Sequence, residues 1–109
     1  MERLVEIVNR VCKKYLPTIK NVGITFDLDF PDTTLTVKDK ERIEKDLDRG
    51  MKSAVSRTKK GTIKLSIKKG EISITDTGTV IDKTTCREIS NDHFIVKSRV
   101  GFGTTITIK

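Results

Sequence analysis

Tryptophan is absent from this chain, and one tyrosine and four phenylalanines are all the aromatic side chains its 109 residues offer. A core with so few rings must be filled by isoleucine, valine and leucine, and no cluster of aromatics stands ready to stack on nucleic-acid bases. Histidine occurs once, as His93. The Ser-His and Cys-His arrangements of hydrolases therefore have almost nothing to assemble from. A phosphoacceptor role suits His93 poorly too, because it lies in an Asn-Asp-His turn ahead of a predicted strand and not on a long helix. The two cysteines, Cys12 and Cys86, fall at inward positions of predicted helices, which reads as buried free thiols and not as a disulfide framework or a metal pair. No run of about eighteen apolar residues exists, so membrane insertion is not expected. The first residues are charged and form no secretory signal, so a cytoplasmic protein is expected. A Walker lysine motif and internal repeats are missing as well.

Positive charge, by contrast, is plentiful. The formal net charge is +7, and Lys13-Lys14, Lys59-Lys60 and Lys68-Lys69 are basic pairs. Such a balance attracts phosphate backbones without sequence preference, which opens a basic nucleic-acid-binding module as one reading. The basic residues are scattered among Asp and Glu, however, and an acidic protein surface is an equally good electrostatic partner.

Hydrophobic periodicity organises the rest. Leu4, Ile7, Val8, Val11, Tyr15 and Ile19 recur at helical spacing, with Pro17 limiting the regularity of the helix end. From Gly23 to Phe30 the chain alternates, placing Ile24, Phe26, Leu28 and Phe30 on a buried face and Asp27 and Asp29 on an exposed one. Asp27, Asp29 and Asp32 are candidate cation ligands only in type, since solvation of that face accounts for the first two. Pro31-Asp32 predicts a turn, residues 34–37 a short strand, and Asp39 a cap for a helix starting near Lys40. In that helix Ile43, Leu47, Gly50, Met51, Ala54 and Val55 share a face. Residues 61–68 and 71–75, joined by a Lys69-Gly70 turn, predict a hairpin. A short helix over residues 82–90 and a final hairpin from Phe94 to Ile108 through Gly101-Phe102-Gly103 complete the chain. Packing the apolar strand faces under the helices gives a two-layer α+β sandwich.

The hairpin leads into Asp76-Thr77-Gly78-Thr79-Val80, and this segment resembles the Asp-x-Gly-x-Gly loop of the ATP-binding domains of sensor histidine kinases, gyrase, the large heat-shock chaperones and mismatch-repair ATPases, the GHKL or Bergerat group. The order of helices and strands is similar over nearly the whole chain. Arg49 to Thr58 is similar to the family's second-helix pattern, Asn-x-x-x-Asn-Ala followed by basic and aromatic residues and Thr, with Ala54 and Thr58 in place and Arg49 and Ser53 at the two Asn positions. The close, with its Ser98, Gly101-Phe102-Gly103 and alternating Thr and apolar residues, is similar to the family's last hairpin.

The resemblance implies a single histidine-kinase-ATPase-like domain over residues 1–109, with a mixed, mostly antiparallel sheet of about five strands and helices on one face. It implies that Asp76 stands at the adenine-binding carboxylate, with Gly78 and Ser53 completing a vestigial adenine and phosphate pocket. The departures imply lost chemistry. Val80 replaces the second glycine, where a β-branched side chain fills space and resists positive φ. Ser53 lacks the amide oxygen that ligates magnesium in active relatives, Arg49 adds charge nearby, and the lid between the Asp76 loop and the last strands is missing. The expectation is a catalytically inactive domain without catalytic residues, metal or cofactor, working in a two-component or similar signalling system by contact with a protein such as a histidine kinase or a response regulator. A reduced ATP or ADP sensor is the alternative, beside the nucleic-acid module.

Overall fold

The computed structural model describes residues 2–31, 34–68 and 71–109. Strand β1 (Glu2–Arg3) leads into helix α1 (Leu4–Val22), followed by β2 (Thr25–Asp29), β3 (Thr36–Val37), α2 (Lys40–Arg57), β4 (Thr62–Lys68), β5 (Glu71–Asp76), α3 (Lys83–Ile89), β6 (Phe94–Arg99) and β7 (Gly103–Ile108). The main sheet has five strands in the order β2-β4-β5-β7-β6, parallel only between β2 and β4. One face of it is apolar, because the period of two along each strand sends Ile63, Leu65 and Ile67 of β4, Ile72 and Ile74 of β5, and Ile106 and Ile108 of β7 into the core. Leu4, Ile7, Val8 and Val11 of α1 and Ile43, Leu47, Met51 and Ala54 of α2 close over that layer. The opposite face carries Lys64, Ser66, Ser73, Thr75, Thr105 and Thr107, none of them buried. This is the expected α+β sandwich with a mixed, mostly antiparallel sheet.

Several expectations are refined. Helix α1 continues past Pro17 to Val22 and stops at Gly23, whose φ of 81° lets its N–H reach the Ile19 carbonyl. Burial of Ile19 explains why the turn after the proline persists. Leu28, expected inward, is 47% exposed. Strand β2 lies at the sheet edge with a neighbour on one side only, so alternation assigns Leu28 a face but nothing covers it. The short strand over residues 34–37 narrows to Thr36–Val37 and pairs with β1 in a separate ribbon, not with the main sheet. Asp39 precedes α2 but makes no side-chain cap; its Oδ2 accepts from Arg42 Nε at 3.2 Å instead. Asp82 does cap α3, accepting from Thr85 N–H and Thr85 Oγ1. The Lys69-Gly70 turn, Asp32 and Thr33 lie outside the described residues. Cys12 and Cys86 are free and buried. Burial pushes the Cys12 thiol up to about 11, so it stays protonated at neutral pH. No helix among the described residues is long and apolar enough to cross a membrane.

Candidate functional site

Asp76 ends β5 with its carboxylate completely buried. A buried carboxylate needs a partner, and Arg57, the last residue of α2, provides it: Nη1 donates to Oδ1 at 3.1 Å and Nη2 to Oδ2 at 2.9 Å. This forked pairing matches the flat guanidinium to the flat carboxylate. Gly78 N–H adds a third bond to Oδ1 at 3.0 Å. The guanidinium is held from other directions as well. Its Nε donates to Ser53 Oγ at 3.2 Å, and Nη1 lies 3.1 Å from both the Thr79 carbonyl and Thr104 Oγ1. Ser98 Oγ, 2.7 Å from Thr104 Oγ1, carries the network to β6 and accepts from Ile81 N–H.

Asp76, Gly78 and Ser53, singled out from the sequence, are thus brought together, and the residue that joins them is Arg57. Arg57 directly precedes Thr58, where the kinase-like pattern has an aromatic residue. That mismatch was the available signal for it.

The loop after Asp76 is packed onto the helix. A Cβ on Gly78 would overlap the Arg57 carbonyl oxygen and come within 2.7 Å of Thr58 Oγ1. Thr79 N–H donates to the same Arg57 carbonyl at 3.1 Å. Gly103, at φ 85°, leaves no room for a Cβ beside the Asp76 carbonyl. The glycine at 78 is therefore required by close approach to the protein's own backbone. Thr58 Oγ1, shut in behind it, is the one buried side-chain polar atom without a partner among the described residues.

Val80, at the position of the second glycine, is 42% exposed on the rim of a cleft with Val100 and Arg99, and the Asp76 carboxylate is occupied by the Arg57 guanidinium. One expectation is corrected here. Arg49 does not add its charge beside Ser53; it stacks 4.5 Å above the Phe94 ring and donates to the Ile89 carbonyl. Among the described residues no group of three or more His, Cys, Asp or Glu side chains is placed to hold a metal ion. His93 is exposed, with its N–H bonded to Asn91 Oδ1. The turn between β6 and β7 is Val100-Gly101-Phe102, closed by Phe102 N–H on the Arg99 carbonyl, and Gly103 opens β7 opposite Arg99.

No family model matches the sequence, and no curated protein matches it. Solved structures do match. The nucleotide-free catalytic domain of the histidine kinase ThkA superposes with a TM-score of 0.81 at 17% identity, covering 97% of this chain and 90% of that one. The cytoplasmic segment of the histidine kinase QseC gives 0.72 at 11% identity, covering 99% and 74%. ThkA in complex with the response regulator TrrA gives 0.75 at 18%, covering 98% and 40%. At these identities the likeness concerns the fold, and the chain has that of the histidine-kinase catalytic domains, of the GHKL type.

Proposed function

We propose that this domain keeps the histidine-kinase ATPase scaffold without its nucleotide chemistry and acts by contact with other proteins in a signalling system. The observation that carries the reading is the Arg57 fork on Asp76. Both carboxylate oxygens that would recognise an adenine amino group already accept hydrogen bonds from inside the chain, and the carboxylate has no exposed surface. ATP, the ligand that the fold implies, does not fit these residues as they stand. Displacing Arg57 would leave a buried charge unpaired, at a cost that ordinary ligand contacts must first overcome. Ser53 Oγ is engaged by the same guanidinium, and only α3, seven residues long, intervenes between the Asp76 loop and β6. A kinase of this fold, ThkA, has been solved with a response regulator bound; a response regulator is the partner assigned first to this chain, and a histidine kinase second.

The test is a titration of the domain with ATP and ADP, with and without magnesium, following heat and the amide shifts of Ser53 and Gly78. No binding at millimolar ligand is expected, in the wild type or in Arg57→Ala. Specific binding that Asp76→Asn abolishes would sink the inactive-scaffold reading and make the domain a nucleotide sensor.

A further inference from the structure

Helix α3 and the outer edge of β6 enclose a cleft of about 320 Å³, with Cys86 and Val96 among its lining residues, and Lys83, Ser98 and Arg99 also line a neighbouring cleft of about 620 Å³. Four cationic residues line the first: Lys83 and Arg87 from the helix, Lys97 and Arg99 from the strand. All four are exposed, and none has a carboxylate partner among the described residues. Elsewhere Arg3, Arg10, Lys14, Arg42 and Arg57 are paired with carboxylates, while lysines such as Lys20 and Lys45 stand alone on the surface, so it is the gathering of four cations at one cleft that singles it out. The one acid in the lining, Asp82, spends its oxygens on Thr85. Apolar surface gathers at the same place. Val80, Val100 and Phe102, at 42%, 84% and 74% exposure, are three of the five large exposed hydrophobic side chains among the described residues.

The strand edge is open at one residue there. Phe94 and Val96 point their N–H groups outward, where Asn91 Oδ1 and Ser90 Oγ accept them. Ser98 follows by alternation on the same edge, and its N–H and C=O have no partner among the described residues. Unpaired edge groups, unpaired cations and exposed apolar side chains together define the ligand. We infer that the cleft between α3 and β6 binds an extended, acidic segment of a partner protein, which adds its backbone to β6 at Ser98, sets carboxylates against the four cations and rests apolar side chains on Val80, Val100 and Phe102. This rests on the reading of the domain as a protein-contact module and names the surface and the partner chemistry. Nucleic acid suits the cleft less well. Cys86 and Val96, among its lining residues, are apolar, and Phe102 is a lone ring there, not the series of aromatics on which successive bases stack.

The experiment is an amide-shift titration of the whole domain with three probes: a peptide alternating Glu and Leu, one alternating Lys and Leu, and an oligothymidylate. The acidic peptide is expected to shift Arg87, Ser98 and Arg99, and a Lys97→Glu, Arg99→Glu double variant with an unchanged spectrum elsewhere should bind it about tenfold or more weakly, as charge reversal at a complementary surface does. Shifts scattered over the surface, no binding at millimolar peptide, an affinity indifferent to the double variant, or tighter binding of the oligothymidylate at these amides would each overturn the inference. Its failure is separable from that of the inactive-scaffold reading: ATP binding at Asp76 would sink the latter and leave this cleft untouched, while a silent cleft would leave contact through another surface.

Discussion

Arg10 and Arg57 invite comparison, because each presents a two-pronged guanidinium to a carboxylate and their surroundings differ. Arg10 donates to both oxygens of Glu2 at 3.0 Å and also pairs with Glu44 of α2. Its side chain is 46% exposed. Arg57 makes the same fork to Asp76 with a side chain 14% exposed, against a carboxylate with no exposure at all. The geometry is nearly identical, so the difference lies in what water can do when one partner is lost. Around Arg10 water replaces the missing acceptor. Around Arg57 it cannot, and the remaining charge is stranded.

The largest expected effect is therefore at Arg57. Arg57→Ala leaves the Asp76 carboxylate with a single Gly78 N–H, and a loss of about 3–5 kcal/mol is expected, read from the urea midpoint at constant slope. Replacing both residues by leucine should cost clearly less than the two single changes summed, because no charge is then left behind. If Arg57→Ala costs no more than Arg10→Ala, burial is not what separates the two forks.

Next comes the backbone that seats the buried fork. Gly78→Ala sets a methyl group against the Arg57 carbonyl and Thr58 Oγ1. Neither backbone can yield without disturbing the Asp76 bonds, so a loss of about 1–3 kcal/mol is expected, in the range of overpacking. A neutral outcome would mean that the loop shifts freely and that the carboxylate is less enclosed than its contacts imply.

The same contrast explains which features could be read in the sequence. Helices α1 and α2, the β4–β5 hairpin and the β6–β7 hairpin announce themselves through local periodicity, and the isoleucines of β4, β5 and β7 are core because alternation says so. Asp76, Gly78 and Ser53 were legible as a group only through resemblance to the kinase pattern. Arg57 showed only as a mismatch to that pattern, and its role did not, since its partners come from α2, the β5 end, the loop after it and β7, and only the folded chain joins those segments. Strand β1, two residues long, is too short to show a period, and the short strand expected over residues 34–37 gave no sign that β1 would be its partner. Leu28 illustrates the converse limit: alternation separates the faces of a strand without telling whether that strand lies at an edge.

The smallest expected effect belongs to the exposed fork, and acid isolates it. Hydrogen bonds from Arg10 are the largest cause holding Glu2 and Glu44 below the ordinary 4.5. A carboxylate whose folded value is lowered binds its proton less readily than in the unfolded chain. It therefore stabilises the fold fully above 4.5, and that contribution fades as the pH falls through the lowered value. Asp82 behaves alike, held below 3.8 first by the Thr85 N–H. Arg10→Gln removes the cause for the two glutamates alone, so the urea midpoint should fall less steeply with acid than in the wild type. Added salt should weaken the wild-type dependence, since surface pairs are screened over a Debye length of about 10 Å at moderate ionic strength. An acid limb unchanged by Arg10→Gln would assign it to other carboxylates, and the exposed fork would then contribute nothing measurable, as many surface pairs do.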